Sequence, residues 1–231
     1  MDILVTNDDG VDAPGLQCLA RQASHFGRVT VVAPREVFSG CGHMVTTRRP
    51  LQVVRRTDSV FVVDGSPADC VRLAKTELLE AIDLVLAGVN DGANLGIDIH
   101  MSGTVAAVRE AALYGIPGIA FSQYRRGPQQ QDWSVSAAAA QHLLSDLLNR
   151  PLEAGEFWNV NFPAWNGQPE RFHWKLCRPD EHPLPVRYER DGGRFVYAGD
   201  YHARPYAPGT DVDVCFGGLI AVSRLRAMCR P

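Results

Sequence analysis

The 231-residue chain contains no Walker A sequence and no G-x-G-x-x-G opening its first helix, so an NTP-driven motor and a dinucleotide dehydrogenase lose their main support. It also lacks any C-x-x-C pair. Its six cysteines (Cys18, Cys41, Cys70, Cys177, Cys215 and Cys229) are scattered, which argues against a zinc ribbon or a thioredoxin-like redox motif and reads as reduced thiols. No run of roughly 18 apolar residues occurs, and neither a charged leader nor an apolar h-region precedes the first strand-like segment. The expectation is a soluble cytoplasmic protein without membrane contact. Positive charge is not in excess either: 23 Lys plus Arg stand against 26 Asp plus Glu, a formal net charge of −3, which leaves no electrostatic footprint for a nucleic-acid duplex.

What is present is a globular composition, 45% apolar and 21% charged, enough to bury a substantial core. Ile3 to Thr6, Val29 to Ala33, Leu84 to Ala87 and Gly118 to Ser122 are short apolar runs that predict strands buried on both faces. Between them, helices are predicted from Pro14 to about Phe26, from Pro67 to Leu79 behind the Ser66-Pro67 start signal, and from Thr104 to Tyr114, with a longer one from Trp133 to Asn149. The alternation implies an α/β fold, Rossmann-like and doubly wound on a mainly parallel sheet. Shorter runs at Val45–Thr47, Leu51–Arg55 and Val60–Val63 predict an inserted β-hairpin over about 45–63. Seven prolines between residues 163 and 208 predict arms and ribbons there. The domain expectation is a catalytic core over 1–162 and an extended C-terminal β arm with a last strand segment over 163–231, used for oligomerisation.

In open parallel sheets ligands bind beyond the carboxyl ends of the strands. The first such end carries Asn7-Asp8-Asp9-Gly10, whose adjacent carboxylates repel each other unless a cation or protons offset them. The second is trailed by Ser39-Gly40-Cys41-Gly42-His43, and the third by Gly88-Val89-Asn90-Asp91-Gly92-Ala93-Asn94-Leu95-Gly96. Ser102-Gly103-Thr104 then opens a helix, whose unpaired N–H groups favour an anion. Taken singly these are helix caps, a glycine-rich loop and a polar turn. Their convergence on strand ends points to a site. Carboxylates, a hydroxyl and an amide carbonyl are hard oxygen donors suited to Mg²⁺, Mn²⁺ or Ca²⁺ rather than zinc, and a cation facing helix N–H groups suits phosphoryl transfer to water.

In order and spacing, I-L-V-T-N-D-D-G, S-G-x-G-H, G-S-P-A-D-C-V, A-G-V-N-D-G-A-N-L-G, S-G-T-V-A-A and W-N-V-N-F-P resemble the survival protein SurE family over most of residues 1–163. A weaker echo lies in Gly209-Thr210-Asp211 and Gly218 to Ser223. The resemblance implies a metal-dependent phosphomonoesterase acting on nucleoside 5′- and 3′-monophosphates, with exopolyphosphatase activity in some relatives and a C-terminal arm exchanged within a homodimer or homotetramer. Carried over by position, it places the metal ligands at Asp8, Asp9, Ser39 and Asn90, around one divalent ion (Mg²⁺ or Mn²⁺, with Ca²⁺ as a further occupant). Asp8 and Asp9 are also its catalytic residues, one of them orienting or deprotonating the attacking water. Asn94, Ser102, Gly103 and Thr104 match its phosphate-facing positions, with Gly40 and an ancillary His43 beside them. Cys41 in that loop and Asp64 before Gly65-Ser66-Pro67 depart from the family pattern. Two rival readings compete: a non-enzymatic regulator, receiver-like and phosphorylated on Asp64 or binding a metal or nucleotide, and a dehalogenase-type phosphatase, which is disfavoured because Gly10 stands where the second Asp of D-x-D would follow Asp8.

Overall fold

The computed structural model describes residues 1–127, 132–165, 167 and 169–228; Cys229 lies outside them, and the other five cysteines are free thiols. Strand β1 (Asp2–Thr6) leads through α1 (Pro14–Ala23) to β2 (Arg28–Pro34), then to the hairpin β3 (Val53–Thr57) and β4 (Val60–Val63). Next come α2 (Pro67–Leu73), β5 (Leu84–Asp91), α3 (Asp98–Met101), α4 (Gly103–Leu113), β6 (Gly118–Gln123) and α5 (Trp133–Leu147). The chain finishes with β7 (Glu156–Phe162), β8 (Trp174–Leu176), β9 (Tyr188–Asp191), β10 (Arg194–Tyr197), α6 (Asp211–Phe216) and β11 (Ile220–Arg226).

Successive side chains of β1 point to opposite faces, as the strand period requires. Ile3 and Val5 join Leu16, Leu19 and Leu143 on the side of α1 and α5, while Leu4 joins Val71, Val105 and Val108 on the side of α2 and α4. Each such fully buried aliphatic side chain contributes about 1.5–3 kcal/mol. Apolar demand on both faces is why these strands read as uninterrupted hydrophobic runs.

Nine strands form the main sheet in the order β3-β4-β2-β1-β5-β6-β7-β11-β8. From β4 to β7 all neighbours are parallel, while β3 and β11 run antiparallel to β4 and β7. The chain steps outward from β1 to β2 and β4, then returns to place β5 on the other side of β1. That reversal makes the β1/β5 carboxyl end the topological switch point.

The hairpin over 45–63 is thus no excursion from the core, since its second strand pairs with β2 in parallel. No strand forms at Val45–Thr47: Thr46 instead donates its N–H (2.9 Å) and hydroxyl (2.8 Å) to the Asp69 carboxylate. The helix expected to reach Leu79 is α-helical only to Leu73, with a π turn over Ala74–Leu78. Its start is a capping box, Ser66 accepting from the Asp69 N–H while Asp69 accepts from the Ser66 N–H. Beyond residue 163, α6 and β11 return to the sheet, and the antiparallel ribbon β9–β10 stands apart, every residue exposed.

Candidate active site

Asp8 lies just past β1 at the switch point, where it is 3% exposed. The preceding Asn7 turns the chain by donating to Gly10 O at 2.9 Å. The amino end of α4 reaches Asp8 from the other side: the Thr104 N–H donates to Oδ2 at 3.1 Å, and the Thr104 hydroxyl donates to Oδ1. Ser102 is the N-cap, its Oγ accepting from the Val105 N–H at 3.0 Å. The approach is so close that a Cβ at Gly103 would stand 2.9 Å from Asp8 Oδ2 and from Cys41 Sγ. The glycine-rich loop after β2 closes the third side, with the Phe38 N–H donating to Asp8 O (2.7 Å) and the Gly42 N–H to Met101 O (2.8 Å).

Asp9 faces the end of β5, accepting the Asp91 N–H at 3.1 Å. Asn90 commits its amide nitrogen to Gly92 O at 2.8 Å, which leaves its Oδ1 as the end able to bind a cation. Asn94 is fixed by four contacts: its N–H donates to Asn161 Oδ1 (2.7 Å), its amide to Ser122 Oγ (2.7 Å), and its carbonyl accepts from Asn159 (2.9 Å) and Asn161 (3.0 Å). Together with Asp8, Ser39, Gly40 and Ser102, Asn90 and Asn94 line one cavity of about 650 Å³.

Burial pushes the Asp8 carboxyl above the ordinary carboxylate range against the pull of its Thr104 hydrogen bonds. Burial, then the charges of Asp8 and Asp91, push Asp9 up to about 6, only partly opposed by the Asp91 N–H. Two adjoining carboxylates under mutual repulsion are an uncompensated charge that a hard divalent cation would neutralise. Among the described residues no three His, Cys, Asp or Glu side chains cluster to hold a metal. The donors available at the switch point are two carboxylates, the Ser39 hydroxyl and the Asn90 amide oxygen, a set that fits Mg²⁺ or Mn²⁺.

His43 is directed elsewhere. Its Nε2 lies 2.6 Å from Glu110 Oε2, and the buried Glu110 also accepts from Arg72 Nε at 2.6 Å. Thr104 serves Asp8 with both of its donors, so the anion held by the amino end of α4 is this carboxylate. Asp64, the residue a receiver-like regulator would phosphorylate, follows the outer strand β4 and is ion-paired with Arg49 at 3.0 Å, two strands from Asp8.

Several participants escaped the reading of the sequence. Asn159 and Asn161 face Asn94 from β7, and their signal was the N-V-N of W-N-V-N-F-P. Asp98 accepts from the buried Arg204 (2.8 Å) and from the Tyr201 hydroxyl (2.7 Å). Asp211, in the G-T-D echo, accepts the N–H groups of Gly96 (2.7 Å) and Asp180 (2.9 Å). These bonds clamp the arm onto the loop that carries Asn94.

The family model described as survival protein SurE matches residues 3–183. A Nostoc sp. protein provisionally named a 5′-nucleotidase is 49% identical over 226 residues, covering 98% of this chain and 100% of the relative. The 5′-nucleotidase SurE of Paramagnetospirillum magneticum is 38% identical over 232 residues, 96% of this chain and 88% of its own. Among solved structures, the SurE protein from Aquifex aeolicus superposes with a TM-score of 0.88 at 32% identity, covering 100% of this chain and 95% of that one.

Proposed function

The chain belongs to the survival protein SurE family, and from that premise we propose that it is a 5′-nucleotidase, a phosphomonoesterase that hydrolyses nucleoside 5′- and 3′-monophosphates to nucleoside and phosphate, with short polyphosphate as a further substrate. One observation carries the reading. Three strand-end segments and the amino end of α4 bring Asp8, Ser39, Asn90, Asn94 and Ser102 to a single cavity at the switch point.

Asp8, Asp9, Ser39 and Asn90 would hold one divalent ion, Mg²⁺ or Mn²⁺. That ion supplies Lewis-acid polarisation of the phosphoryl group and a lowered pKa for water. The chain's own residues position and stabilise. Asp8 is kept in a single orientation by the two Thr104 donors, and Asp9 is steered by the Asp91 N–H. Ser102 accepts from Val105 and keeps its own hydroxyl hydrogen for a phosphate oxygen; Asn94 spends one amide hydrogen on Ser122 and keeps the other. Groups immobilised in advance stabilise developing charge without reorganising, and such preorganisation is the dominant electrostatic contribution in many enzymes. His43 acts at a distance, joining the Ser39 loop to α4 through Glu110.

No helix of the described residues is long and apolar enough to cross a membrane. We assign the exposed ribbon, with Tyr188, Phe195 and Val196 each more than half exposed, to contact between copies of the chain in a homodimer or homotetramer.

The test is phosphate release from a panel of nucleoside monophosphates. EDTA should abolish it, and Mg²⁺ or Mn²⁺ should restore it. Asp8→Asn should fold with an unchanged circular dichroism spectrum and lose about 1,000-fold or more in kcat, the scale of removing a principal charge-stabilising group. Undiminished turnover by Asp8→Asn would refute the assignment.

A further inference from the structure

A second cavity, of about 490 Å³, lies at the opposite end of the sheet from Asp8. β5, β6 and β7 run parallel, so their amino ends open together there, and about 20 Å of strand separates Leu84 in this cavity from Asn90 in the other. The two are distinct sites.

The interior follows from the packing of α5 on the sheet. Leu84, Ile119 and Trp158 come from three neighbouring strands on the α5 face, and Leu147 and Leu152 stand over them where α5 ends and the chain turns back toward β7. Such a lining takes a hydrocarbon body, and the volume is in the range of small-molecule sites.

Polar groups set the rest of the occupant's chemistry. Trp158 is 4% exposed, and its indole Nε1 has no hydrogen-bond partner among the described residues. An indole N–H can only donate, and buried donors are ordinarily paired, so the matching group is an acceptor. Charge decides which kind. Three acids, Asp83, Glu153 and Glu156, line the cavity against one base, Arg150, whose guanidinium lies over the Trp174 ring at 4.8 Å. Even with Arg226, which holds Glu156 at 2.8 Å, the acids outnumber the bases. An anionic acceptor would meet that excess of like charge. A hydroxyl is neutral, and it can accept from Trp158 while donating to a carboxylate oxygen.

We propose that this cavity binds a small neutral apolar alcohol or phenol, whose oxygen accepts from Trp158 Nε1 and whose hydrocarbon body fills the space under Leu147 and Leu152. The site is independent of the nucleotidase reading.

The experiment titrates phenol, toluene and benzoate separately into the ¹⁵N-labelled full chain and follows the indole N–H resonances of its four tryptophans, that of Trp158 being assigned by its loss in Trp158→Phe. Phenol should move the Trp158 resonance saturably and leave that of Trp133 in place. Toluene keeps the ring but brings no acceptor oxygen, so it should bind about tenfold more weakly, the effect of one hydrogen bond. Benzoate, an acceptor that carries charge, should bind no better than toluene. A crystal soaked in phenol asks the same question without a substitution: the phenol oxygen should lie within hydrogen-bond distance of Nε1. The proposal is overturned if phenol gives no saturable shift at Trp158, if toluene binds as tightly as phenol, if benzoate binds most tightly of the three, or if the soaked crystal shows water instead of phenol bonded to Nε1.

Discussion

A hydrogen in place of a methyl group on Cα of residue 103 decides how near α4 can come to Asp8. The Thr104 N–H and hydroxyl reach the carboxylate only because Gly103 lets the helix end lie against it, with Cys41 on the far side. Gly103 has no positive φ, so its backbone would accept alanine; the obstacle is the room occupied by Asp8. Gly103→Ala should therefore separate stability from catalysis. The helix end gains about 0.5–1 kcal/mol from the lower chain entropy of alanine, offsetting part of the local clash and leaving the melting temperature within a few degrees. Displacing Asp8 by about 1 Å should cost on the order of 100-fold in kcat. Thermal melting and steady-state phosphate release on the same preparation check both halves, and full activity with an alanine at 103 would show that the close approach is dispensable. At this scale the placement of candidate residues was legible where polar groups follow a strand, as at Asp8, Asn90 and Asn94, which line one cavity. It was not legible for Leu184, Val186 and Tyr197, because nothing in a proline-rich segment announces which distant loop it will cover.

The arm is held as an element by buried polar groups as well as by apolar packing, and Asp180 is central to that. Its carboxylate accepts the N–H groups of Ala207 (2.7 Å) and His182 (2.9 Å) and contacts the His182 ring at 2.9 Å. Burial alone would raise its pKa; these partners outweigh burial and bring it down to about 2, below the ordinary 3.8. The native state thus binds its proton more weakly than the unfolded chain does. The resulting stability, about 2 kcal/mol from a gap of nearly two units, is fully present above about pH 4 and disappears as pH falls toward 2. Asp180→Asn carries no such titration. Urea unfolding should find the wild type about 2 kcal/mol more stable than the variant near pH 6, with the difference vanishing near pH 2; a gap that is constant with pH would contradict this account. Elements were legible in the sequence in proportion to how completely they are buried in apolar surroundings. β1, β2, β5 and β6 were read from unbroken hydrophobic runs. β7 was missed, although every one of its residues is buried, because Asn159 and Asn161 interrupt the run to bind Asn94. The ribbon β9–β10 was expected only as arm and ribbon, since its strands bury nothing within one chain.

For the whole molecule the question is which parts of the last 70 or so residues can be dispensed with. β11 pairs with β7 over six positions and carries β8 on its outer edge, with Ile220 and Val222 fully buried. Removing it would bare the hydrophobic β7 as an edge, a template for pairing with other chains. The ribbon differs, for it presents Phe195 and Val196 at 62% and 55% exposure and, among the described residues, its strands pair only with each other. Two changes in the same stretch should then have opposite outcomes. A chain ending at residue 209 should be insoluble or lose its cooperative melting transition. Phe195→Ser combined with Val196→Ser should melt as the wild type does, while light scattering reports the mass of a monomer in place of an oligomer. If that double variant stayed assembled, contact between copies would have to reside on another surface.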